Sequence, residues 1–518
     1  MRIARFVFVL VIIASLVLIS SRGDTATTAP KSTATPKMTP QYGGTLVLRQ
    51  NMPVSMGYPA TSSSNADLES MPICMDTLIS FDENGKPQPW LATSWKYSSD
   101  LKSLTLTLRR DVKFHDGTDF NAAVVKANLD LCKAAKRGEL ASVSSVEVTD
   151  NYTVRLNLSK MDAFLIPNLG EFAGVMVSSA ALAKGADWCR TNPVGTGPFK
   201  LVSYQSGVSV KFEKWGGYWQ KGKPYLDGVQ IVNIPDDMTA AAAFKKGEIH
   251  ITNTRDPAIA EGVKSVSKAS STPNYLSLVP DSAHKDSPWS DLKVRQAISY
   301  AIDKNTLDKS FGAGFWPISD QFFDKSSTYY NPATVGYPYN VQKAKEVLAT
   351  SGYPNGFKTK IIYGNASNTQ VICTAIQAML AKIGITLEMT PMNPSVMTQF
   401  AIDGWQNGCL TINVGFSPEN EPGRFMQTIL SKGALRNSCA VRSAEYDAIL
   451  DKLIAEPDFD KRIPLNRQLI KQMLDGDCLI NYCFNNGWIY LRSPKLNDDH
   501  KGDIWLRQWR PQDAWFSK

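Results

Sequence analysis

LATSWKYSSDLKSLTLTLRRDVKFHDGTDFNAAVVKANLD, residues 91–130, carries three local patterns in succession. Leu104, Leu106 and Leu108 alternate with polar residues, which is the period of a strand with one buried face. The pair Asp116-Gly117 then predicts a turn. After the turn, six residues recur at the spacing of one helical face: Val124, Val125, Ala127, Asn128, Leu129 and Leu131. The stretch therefore predicts a strand, a turn and a helix, which are units of an α/β protein.

The same stretch resembles the signature of the extracytoplasmic solute-binding proteins of family 5, the peptide and nickel type that serves ABC transporters. In that signature, a Leu-Ala-x-Ser-Trp string leads to an arginine-rich strand and a Phe-x-Asp-Gly turn. Other strings of the family occur in its order: GGTLVL at 43–48, KPQPWLA at 86–92, NPVGTGPF at 192–199, VRQAISYAID at 294–303 and GYPNGF at 352–357. The resemblance covers about residues 43–490.

The resemblance implies an α/β, two-lobe, periplasmic-binding-protein-like (type II) fold with an additional domain inserted in lobe I. Carried onto this sequence, lobe I comprises residues 41–70, 190–270 and 487–518. The inserted domain is residues 71–189, and lobe II is residues 271–486. Two segments of chain would then cross between the lobes.

Residue patterns in the second half agree with a parallel α/β lobe. A strand at 360–363, a helix at 369–383 and a strand at 385–389 predict a right-handed parallel crossover. Patterns elsewhere predict a strand at 248–251 and one helix over 291–307.

The N-terminal region predicts export. Arg2 and Arg5 precede a 14-residue stretch at 6–19 that is apolar except for Ser15 and is shorter than the roughly 20 residues that a membrane-spanning helix needs. Residues 1–20 are therefore expected to be an export signal, and residues 21–40 a disordered Thr/Ala/Pro linker. Lipoprotein members of the family carry a lipidated cysteine where this chain has Ser21. We expect an extracytoplasmic protein, in the periplasm or on the outer face of the cytoplasmic membrane, that is not lipidated at this position.

The charge balance excludes nucleic acid as a partner. The formal net charge is +8 over 518 residues, and half of it comes from the first 40 residues. The remainder is nearly balanced and has no basic runs. Among the eight cysteines, Cys478 with Cys483 and Cys409 with Cys439 could form disulfides, and free buried thiols are the alternative.

The sequence offers no constellation for catalysis or for a bound metal or cofactor. The four histidines stand in unrelated contexts without ligand spacing: His115, His250, His284 and His500. No nucleophile-elbow, zinc-protease or dinucleotide-binding motif is present. We therefore predict a protein that is not an enzyme and that has no cofactor.

A binding cleft needs aromatic walls and a few fixed polar groups. The resemblance implies that Asn51 faces the cleft from lobe I. Seven further residues lie in the segments that line the cleft in relatives: Trp405, Phe416, Glu419, Asn420, Phe484, Asn485 and Trp488. The alternative for each of the aromatic residues is an ordinary place in the core.

Departures from the family pattern bear on the ligand. Peptide-binding members hold the ligand's amino group with an aspartate just before an acid-proline string, here Glu421-Pro422; the matching position is Pro418, with Glu419 beside it. Dipeptide-binding members clamp the carboxylate with an arginine at the start of a lobe II helix, where this chain has Val371. A tight dipeptide pocket is therefore not expected. The candidate ligands are then longer peptides, oligosaccharides and metal chelates.

Together these features predict a substrate-binding receptor of an ABC importer, which captures a peptide or similar small solute between two lobes and delivers it to the permease subunits. We expect a monomer that meets the membrane only through its N-terminal segment or the permease. The alternatives are a receptor that signals to a membrane sensor, a binding protein for a non-peptide solute and, least favoured, an exported hydrolase.

We predict that Glu419 replaces the missing aspartate if the ligand carries a positive charge. A charge-assisted hydrogen bond contributes about 1.5 to 3 kcal/mol, so Glu419→Gln should weaken binding roughly tenfold or more. Calorimetry with a cationic ligand measures the change. An unchanged dissociation constant would assign Glu419 to an exposed loop without ligand contact.

Overall fold

The chain forms three main β-sheets with helices packed on their faces in a computed structural model, which describes residues 39–518 except 83, 272–273, 317, 324, 365–366, 406–407, 415–420, 433, 435–438, 486, 499 and 501–508. In chain order the strands are β1 (Thr45–Arg49), β2 (Ile79–Phe81), β3 (Pro87–Pro89), β4 (Ala92–Tyr97), β5 (Ser103–Leu108), β6 (Val143–Asp150), β7 (Thr153–Leu158), β8 (Phe199–Gln205), β9 (Ser209–Lys214), β10 (Gly228–Val232), β11 (Ile251–Thr254), β12 (Lys268–Ser271), β13 (Tyr275–Pro280), β14 (Lys358–Gly364), β15 (Thr386–Met392), β16 (Gly408–Val414), β17 (Asn481–Asn485), β18 (Ile489–Arg492), β19 (Leu496–Asn497) and β20 (Trp515–Phe516).

The α-helices are α1 (Asn65–Cys74), α2 (Ala122–Ala134), α3 (Leu165–Asn168), α4 (Ser179–Leu182), α5 (Ala186–Thr191), α6 (Asp237–Lys245), α7 (Pro257–Val263), α8 (Leu292–Ala301), α9 (Lys304–Phe311), α10 (Val341–Ala349), α11 (Ser367–Ala381), α12 (Pro394–Asp403), α13 (Pro422–Ile429), α14 (Ala444–Ala455) and α15 (Phe459–Lys471). Across the described part of the chain, none of the helices is long and apolar enough to cross a bilayer.

The largest sheet has seven strands in the order β12-β18-β11-β1-β10-β9-β8. Its strand β1 pairs in parallel with β10 on one side and with β11 on the other. The carboxyl ends of β1, β10 and β11 therefore meet at one edge. Leu46 and Leu48 of β1 are fully buried, as their alternation requires. We call the part of the chain built on this sheet lobe I.

The second sheet has five strands in the order β15-β14-β16-β13-β17. Strand β14 pairs in parallel with β15 and with β16, and α11 connects β14 to β15. The parallel crossover predicted over 360–389 is therefore confirmed. We call the part of the chain built on this sheet lobe II.

Two short segments pass between the lobes. Strand β12 belongs to the seven-stranded sheet and β13 to the five-stranded sheet, and only residues 272–274 separate them. The chain returns from β17 to β18 through residues 486–488. The exact domain limits given above remain predictions.

The quoted stretch forms part of the third sheet, which is antiparallel with the order β4-β5-β7-β6. Leu104, Leu106 and Leu108 are at most 2% exposed, so the predicted buried face of β5 is confirmed. In α2 the predicted face is buried except at Leu131, which is half-buried, and at Ala127, which is exposed because it lies off the stripe that faces the sheet. Asn128 is buried there, and its amide nitrogen donates to the carbonyls of Val124 (3.0 Å) and Val177 (2.9 Å).

Two sequence predictions of elements were wrong, each for a local reason. The strand expected at 248–251 begins only at Ile251, because the amides of Gly247 and Glu248 still donate to carbonyls of α6. The helix expected over 291–307 is two helices, α8 and α9. Ile302 adopts an extended backbone, and the Asp303 side chain accepts from Thr306 N (3.0 Å) and starts a new helix.

All eight cysteines are free and buried. The disulfide alternative is therefore wrong for Cys478 with Cys483 and for Cys409 with Cys439. Burial raises the pKa of the thiols of Cys409, Cys478 and Cys483, which keeps them protonated and inert.

Two side chains join the quoted stretch and its neighbours to the GTGPF string. The Asp76 carboxylate accepts from Trp90 Nε1 (2.7 Å), Thr196 Oγ1 (2.8 Å) and Trp219 Nε1 (3.0 Å). His115 donates from Nε2 to the Gly197 carbonyl (2.9 Å), and its ring packs edge-on against Trp215. Burial lowers the pKa of His115 to about 4.

We predict that His115 makes the fold sensitive to acid. Its pKa is lower in the folded chain than the usual 6.5, so the unfolded chain binds the proton first and stability falls as pH drops from 6.5 toward 4. Between pH 7 and pH 4.5 the wild-type protein should lose about 2 kcal/mol more than His115→Gln, whose amide can still donate to Gly197.

Urea unfolding at the two pH values measures this difference. His284→Gln is the contrast, because the hydrogen bond that His284 donates to Asp281 raises the pKa of His284, and the stability that it contributes is lost as pH rises. Equal losses in the wild type and in His115→Gln would contradict the prediction.

Candidate ligand-binding cleft

The carboxyl ends of parallel strands from both lobes lie beside the two crossing segments. In lobe I, β12 ends at Ser271 and enters one crossing, while β1 and β11 end at the same edge. In lobe II, β14, β16 and β17 run in one direction, and β17 ends at Asn485 where the other crossing begins. Ligands of open α/β sheets bind at this kind of edge. The crossings therefore mark the place where the two lobes can share a ligand.

A cavity of about 330 Å³ lies at this place, and both lobes line it. Lobe I contributes residues of α7 and the two residues before it: Arg255, Asp256, Pro257, Ala258 and Glu261. Lobe II contributes the end of α9 and its following turn, the first part of α11 and the end of β17: Ser310, Phe311, Ala313, Trp316, Val371, Ile372 and Phe484. We call it the interlobe cavity.

The lobe II wall of the interlobe cavity is aromatic. Phe484 packs edge-on against Trp316 with ring centroids 5.7 Å apart, and against Phe311 at 6.4 Å. Such pairs hold the rings in fixed positions. Trp316 is buried, and its indole N–H has no hydrogen-bond partner among the residues that the structure describes.

The lobe I wall carries a partly buried guanidinium. Arg255 directly follows β11, and its guanidinium carbon lies 4.4 Å from the ring centroid of Trp488 in the crossing segment. Burial lowers the pKa of Arg255 from its usual value. The stack fixes the plane of the guanidinium against the crossing.

The sequence pattern described as "Bacterial extracellular solute-binding proteins, family 5 Middle" matches residues 86–434. The chain belongs to this family. The glutathione-binding protein GsiB of Pectobacterium atrosepticum is 35% identical over 334 residues, which are 61% of this chain and 63% of that protein. GsiB of Escherichia coli O157:H7 is 34% identical over 328 residues, with the same coverage. The chain thus matches less than two thirds of the length of these relatives.

Solved structures of solute-binding proteins share the whole fold. AgaA of A. tumefaciens R10, in complex with agropinic acid, has a TM-score of 0.73 and 27% identity and covers 92% of this chain and 99% of its own. DppA of Helicobacter pylori, in complex with the peptide STSA, has a TM-score of 0.74 and 24% identity over the same shares. NikA of Brucella suis, in complex with Fe(III)-EDTA, reaches 0.79 at 22% identity and covers 92% of this chain and all of its own. The predicted type II two-lobe fold is confirmed.

Three of the residues predicted for the family 5 cleft lie at or beside the interlobe cavity. Phe484 lines it, and Trp488 stacks on Arg255. Asn485 is buried, and its Oδ1 accepts from the amides of Asn274 (2.8 Å) and Gly487 (3.2 Å), which ties the two crossings together. Within the described part of the chain, the Nδ2 of Asn485 has no hydrogen-bond partner.

Two of the other predicted residues, Asn51 and Trp405, lie away from the interlobe cavity. Asn51 is exposed just beyond β1 and does not line the cavity. Trp405 is 1% exposed in a lobe II core cluster with Tyr275 and Met426, so the core alternative describes its position. Phe416, Glu419 and Asn420 lie outside the described residues.

Sequence reasoning missed Arg255, Phe311 and Trp316. A signal existed for Arg255, because it directly follows a strand of the parallel part of the lobe I sheet. No such signal marked Phe311 and Trp316, because Phe311 ends α9 and Trp316 follows it in a segment without a family string.

Two other features of lobe II are less suited to a ligand. A larger cavity of about 560 Å³ is lined by lobe II residues alone, and its Lys304 already binds Asp320 (3.1 Å) and the Tyr337 carbonyl (3.1 Å). Donor atoms of Asp281, His284 and Cys439 lie within 4.8 Å of one another. Since His284 Nδ1 and Asp281 Oδ1 are already 2.5 Å apart, this group is a hydrogen-bonded pair beside a buried thiol.

We predict that Phe484 supports the fold as well as the cavity wall. Phe484 is 3% exposed, so Phe484→Ala should lower the free energy of unfolding by about 3 to 5 kcal/mol. Val371→Ala is the control, because Val371 lines the same cavity but is 52% exposed; its change should stay under about 1 kcal/mol. Urea unfolding compares the two. Equal free energies of unfolding for the two variants would show that Phe484 lines the cavity without stabilising the fold.

Proposed function

We propose that the protein is the extracytoplasmic substrate-binding receptor of an ABC importer, and that it captures a small solute in the interlobe cavity. One observation carries the proposal: a cavity lined by both lobes lies beside the two segments that join them. A solute there contacts both lobes, and its binding energy favours the state in which they are closed. Family membership supports the same function.

The solute class proposed is a peptide or a peptide-like small molecule. The names of relatives support a peptide or a peptide-like solute, since GsiB is a glutathione-binding protein and DppA was solved with a peptide. AgaA and NikA were solved with agropinic acid and with an iron chelate, which keeps non-peptide solutes as the alternative. The absence of an arginine at Val371 argues against a dipeptide clamp of the kind described above.

The proposed partners are the permease subunits of the importer, and the proposed location is outside the cytoplasmic membrane. The family name, which describes extracellular proteins, and the basic and apolar N-terminal segment support this location. A receptor that signals to a membrane sensor would use the same cleft, and no observation favours it over the importer.

We propose no catalytic activity. The matched family consists of solute-binding proteins. Among the described residues that line the interlobe cavity, Ser310 is the only hydroxyl side chain, and no histidine lies there to act as its base.

We predict that ligand closes the two lobes. A thermal-shift screen first identifies a ligand, because a ligand at 100 times its dissociation constant stabilises the protein by about 2.7 kcal/mol. Small-angle scattering with and without that ligand should then show a smaller radius of gyration in the complex. Phe311→Lys is the matched control, since a charge in the aromatic wall should abolish both binding and compaction. An unchanged radius at saturating ligand would contradict the closure.

A further inference from the structure

The cavity of about 560 Å³ within lobe II is separate from the interlobe cavity, and we call it the lobe II cavity. Helix α9 contributes to both cavities, but at its opposite ends. Lys304 and Asn305 of its first turn line the lobe II cavity, whereas Ser310 and Phe311 of its last turn line the interlobe cavity. Because one lobe alone forms the lobe II cavity, a ligand there would not draw the two lobes together. Its volume lies within the range of small-molecule sites, roughly 300 to 1,000 Å³.

The walls of the lobe II cavity are held in place by hydrogen bonds within the protein. The amides of Val335 and Gly336 donate to the Asp475 carboxylate (2.8 and 3.0 Å). On the facing wall, the Gln321 side chain accepts from the Asn331 amide (3.0 Å) and donates to the Asn331 carbonyl (2.9 Å). A ligand would therefore meet a formed site and would spend little of its binding energy on ordering these walls.

The charges at the lobe II cavity largely cancel. Lys304 is 7% exposed, and its Nζ donates to Asp320 (3.1 Å) and to the Tyr337 carbonyl (3.1 Å). Among the other described residues that line the cavity, the charged side chain is that of Lys325, which is exposed. One exposed ammonium group beside a paired one does not form a set of converging donors for an anion.

The remaining polar groups are uncharged and can both donate and accept hydrogen bonds, as sugar hydroxyls do. The Thr334 hydroxyl is buried and has no hydrogen-bond partner in the part of the chain that the structure describes. A buried hydroxyl without a partner is unfavourable, and a ligand hydroxyl could supply the missing bond. The lining residues with a hydroxyl or an amide side chain are Asn305, Ser319, Gln321, Tyr330, Thr334 and Tyr339.

Exposed apolar side chains complete the lobe II cavity. Ile318, Val335 and Tyr339 line it and are 46%, 70% and 39% exposed. Single exposed apolar residues are ordinary, but several around one concave polar site indicate a binding surface. Lys382 Nζ donates to the Tyr339 hydroxyl (3.3 Å) and steadies that ring. Apolar and aromatic surfaces of this kind can cover the C–H face of a sugar ring while its hydroxyls form hydrogen bonds.

We propose that the lobe II cavity binds a neutral saccharide at a second site, which is distinct from the site of the transported solute. Thr334 and Tyr330 supply hydrogen bonds to its hydroxyls, and Ile318, Val335 and Tyr339 pack on its rings. The inference goes beyond the receptor function and does not depend on it.

Calorimetry with defined probes tests the ligand class. The saccharides are maltose, cellobiose and N,N′-diacetylchitobiose, and the anions are acetate and inorganic phosphate. We expect at least one saccharide to bind with a dissociation constant of about 1 mM or lower, and neither anion to bind in its place. Failure of all three saccharides to bind, or binding of an anion at the cost of the saccharide, would overturn the inference.

Scattering and two variants then locate the saccharide. At saturating saccharide the radius of gyration should not change, because a single lobe forms the site. Val335→Glu should weaken binding at least about tenfold by placing a charge against the sugar ring. Val396→Glu is the matched control, since Val396 on α12 is 55% exposed and does not line the cavity. Equal affinities of these two variants would overturn the inference.

Phe311→Lys separates the two cavities. It alters the interlobe wall, so the saccharide affinity should stay close to that of the wild type. If Phe311→Lys abolishes saccharide binding, or if the saccharide reduces the radius of gyration, the sugar is bound between the lobes. Either result would overturn the second site while supporting the receptor function.

Thr334→Val tests the buried hydroxyl with little change of shape. Removing an unpartnered hydroxyl should leave the free energy of unfolding unchanged or higher, while the saccharide binds at least about threefold more weakly. A merely structural role of Thr334 would not separate the two effects. Unchanged saccharide affinity in Thr334→Val would contradict the contact assigned to this hydroxyl.

Discussion

The Asp76 carboxylate holds together four segments that are distant in sequence. It is 4% exposed, and its three donors come from Trp90, Thr196 and Trp219. Burial raises the pKa of Asp76, and the three hydrogen bonds oppose that rise. Arg109 lies over the Trp219 ring at 4.2 Å and adds positive charge nearby. A buried carboxylate of this kind needs all its hydrogen-bond donors, because the loss of any donor leaves a buried oxygen without a partner. Trp90 of the KPQPWLA string and Thr196 of the GTGPF string are thus parts of one polar contact.

A second buried network joins lobe II to the segment 162–174. Glu421 accepts from both Arg462 Nε (2.6 Å) and Nη2 (3.0 Å), and from Asn466 (3.0 Å). Three residues further on, Arg424 is ion-paired with Glu171 and donates to Asn168 (2.8 Å). The acid of the acid-proline string is therefore a structural residue, fully engaged within the protein. A ligand's amino group could not compete for it without breaking a bidentate pair.

The sequence was sufficient where a pattern is local. The period of β5 and the turn at Gly117 each follow from neighbouring residues, and the structure has them. The element limits failed at Gly247 and Ile302, where a few backbone hydrogen bonds decide between ending and continuing a helix. The cavity could be predicted least. Its lining comes from residues 255–261, 310–316, 371–372 and 484, and only the two crossings bring these segments together.

The two walls of the interlobe cavity belong to different lobes, and this affects how ligand binding and closure of the lobes are linked. Arg255 belongs to the lobe I wall of the cavity, and Phe311 and Phe484 belong to the lobe II wall, so a solute bound there would contact both lobes. A ligand shifts a conformational equilibrium only by the difference in its affinity for the two states. Dividing its contacts between the lobes makes that difference large, because only the closed state offers both sets. The stack of Arg255 on Trp488 places the charge against a crossing segment, where a small rotation changes the distance between the two walls.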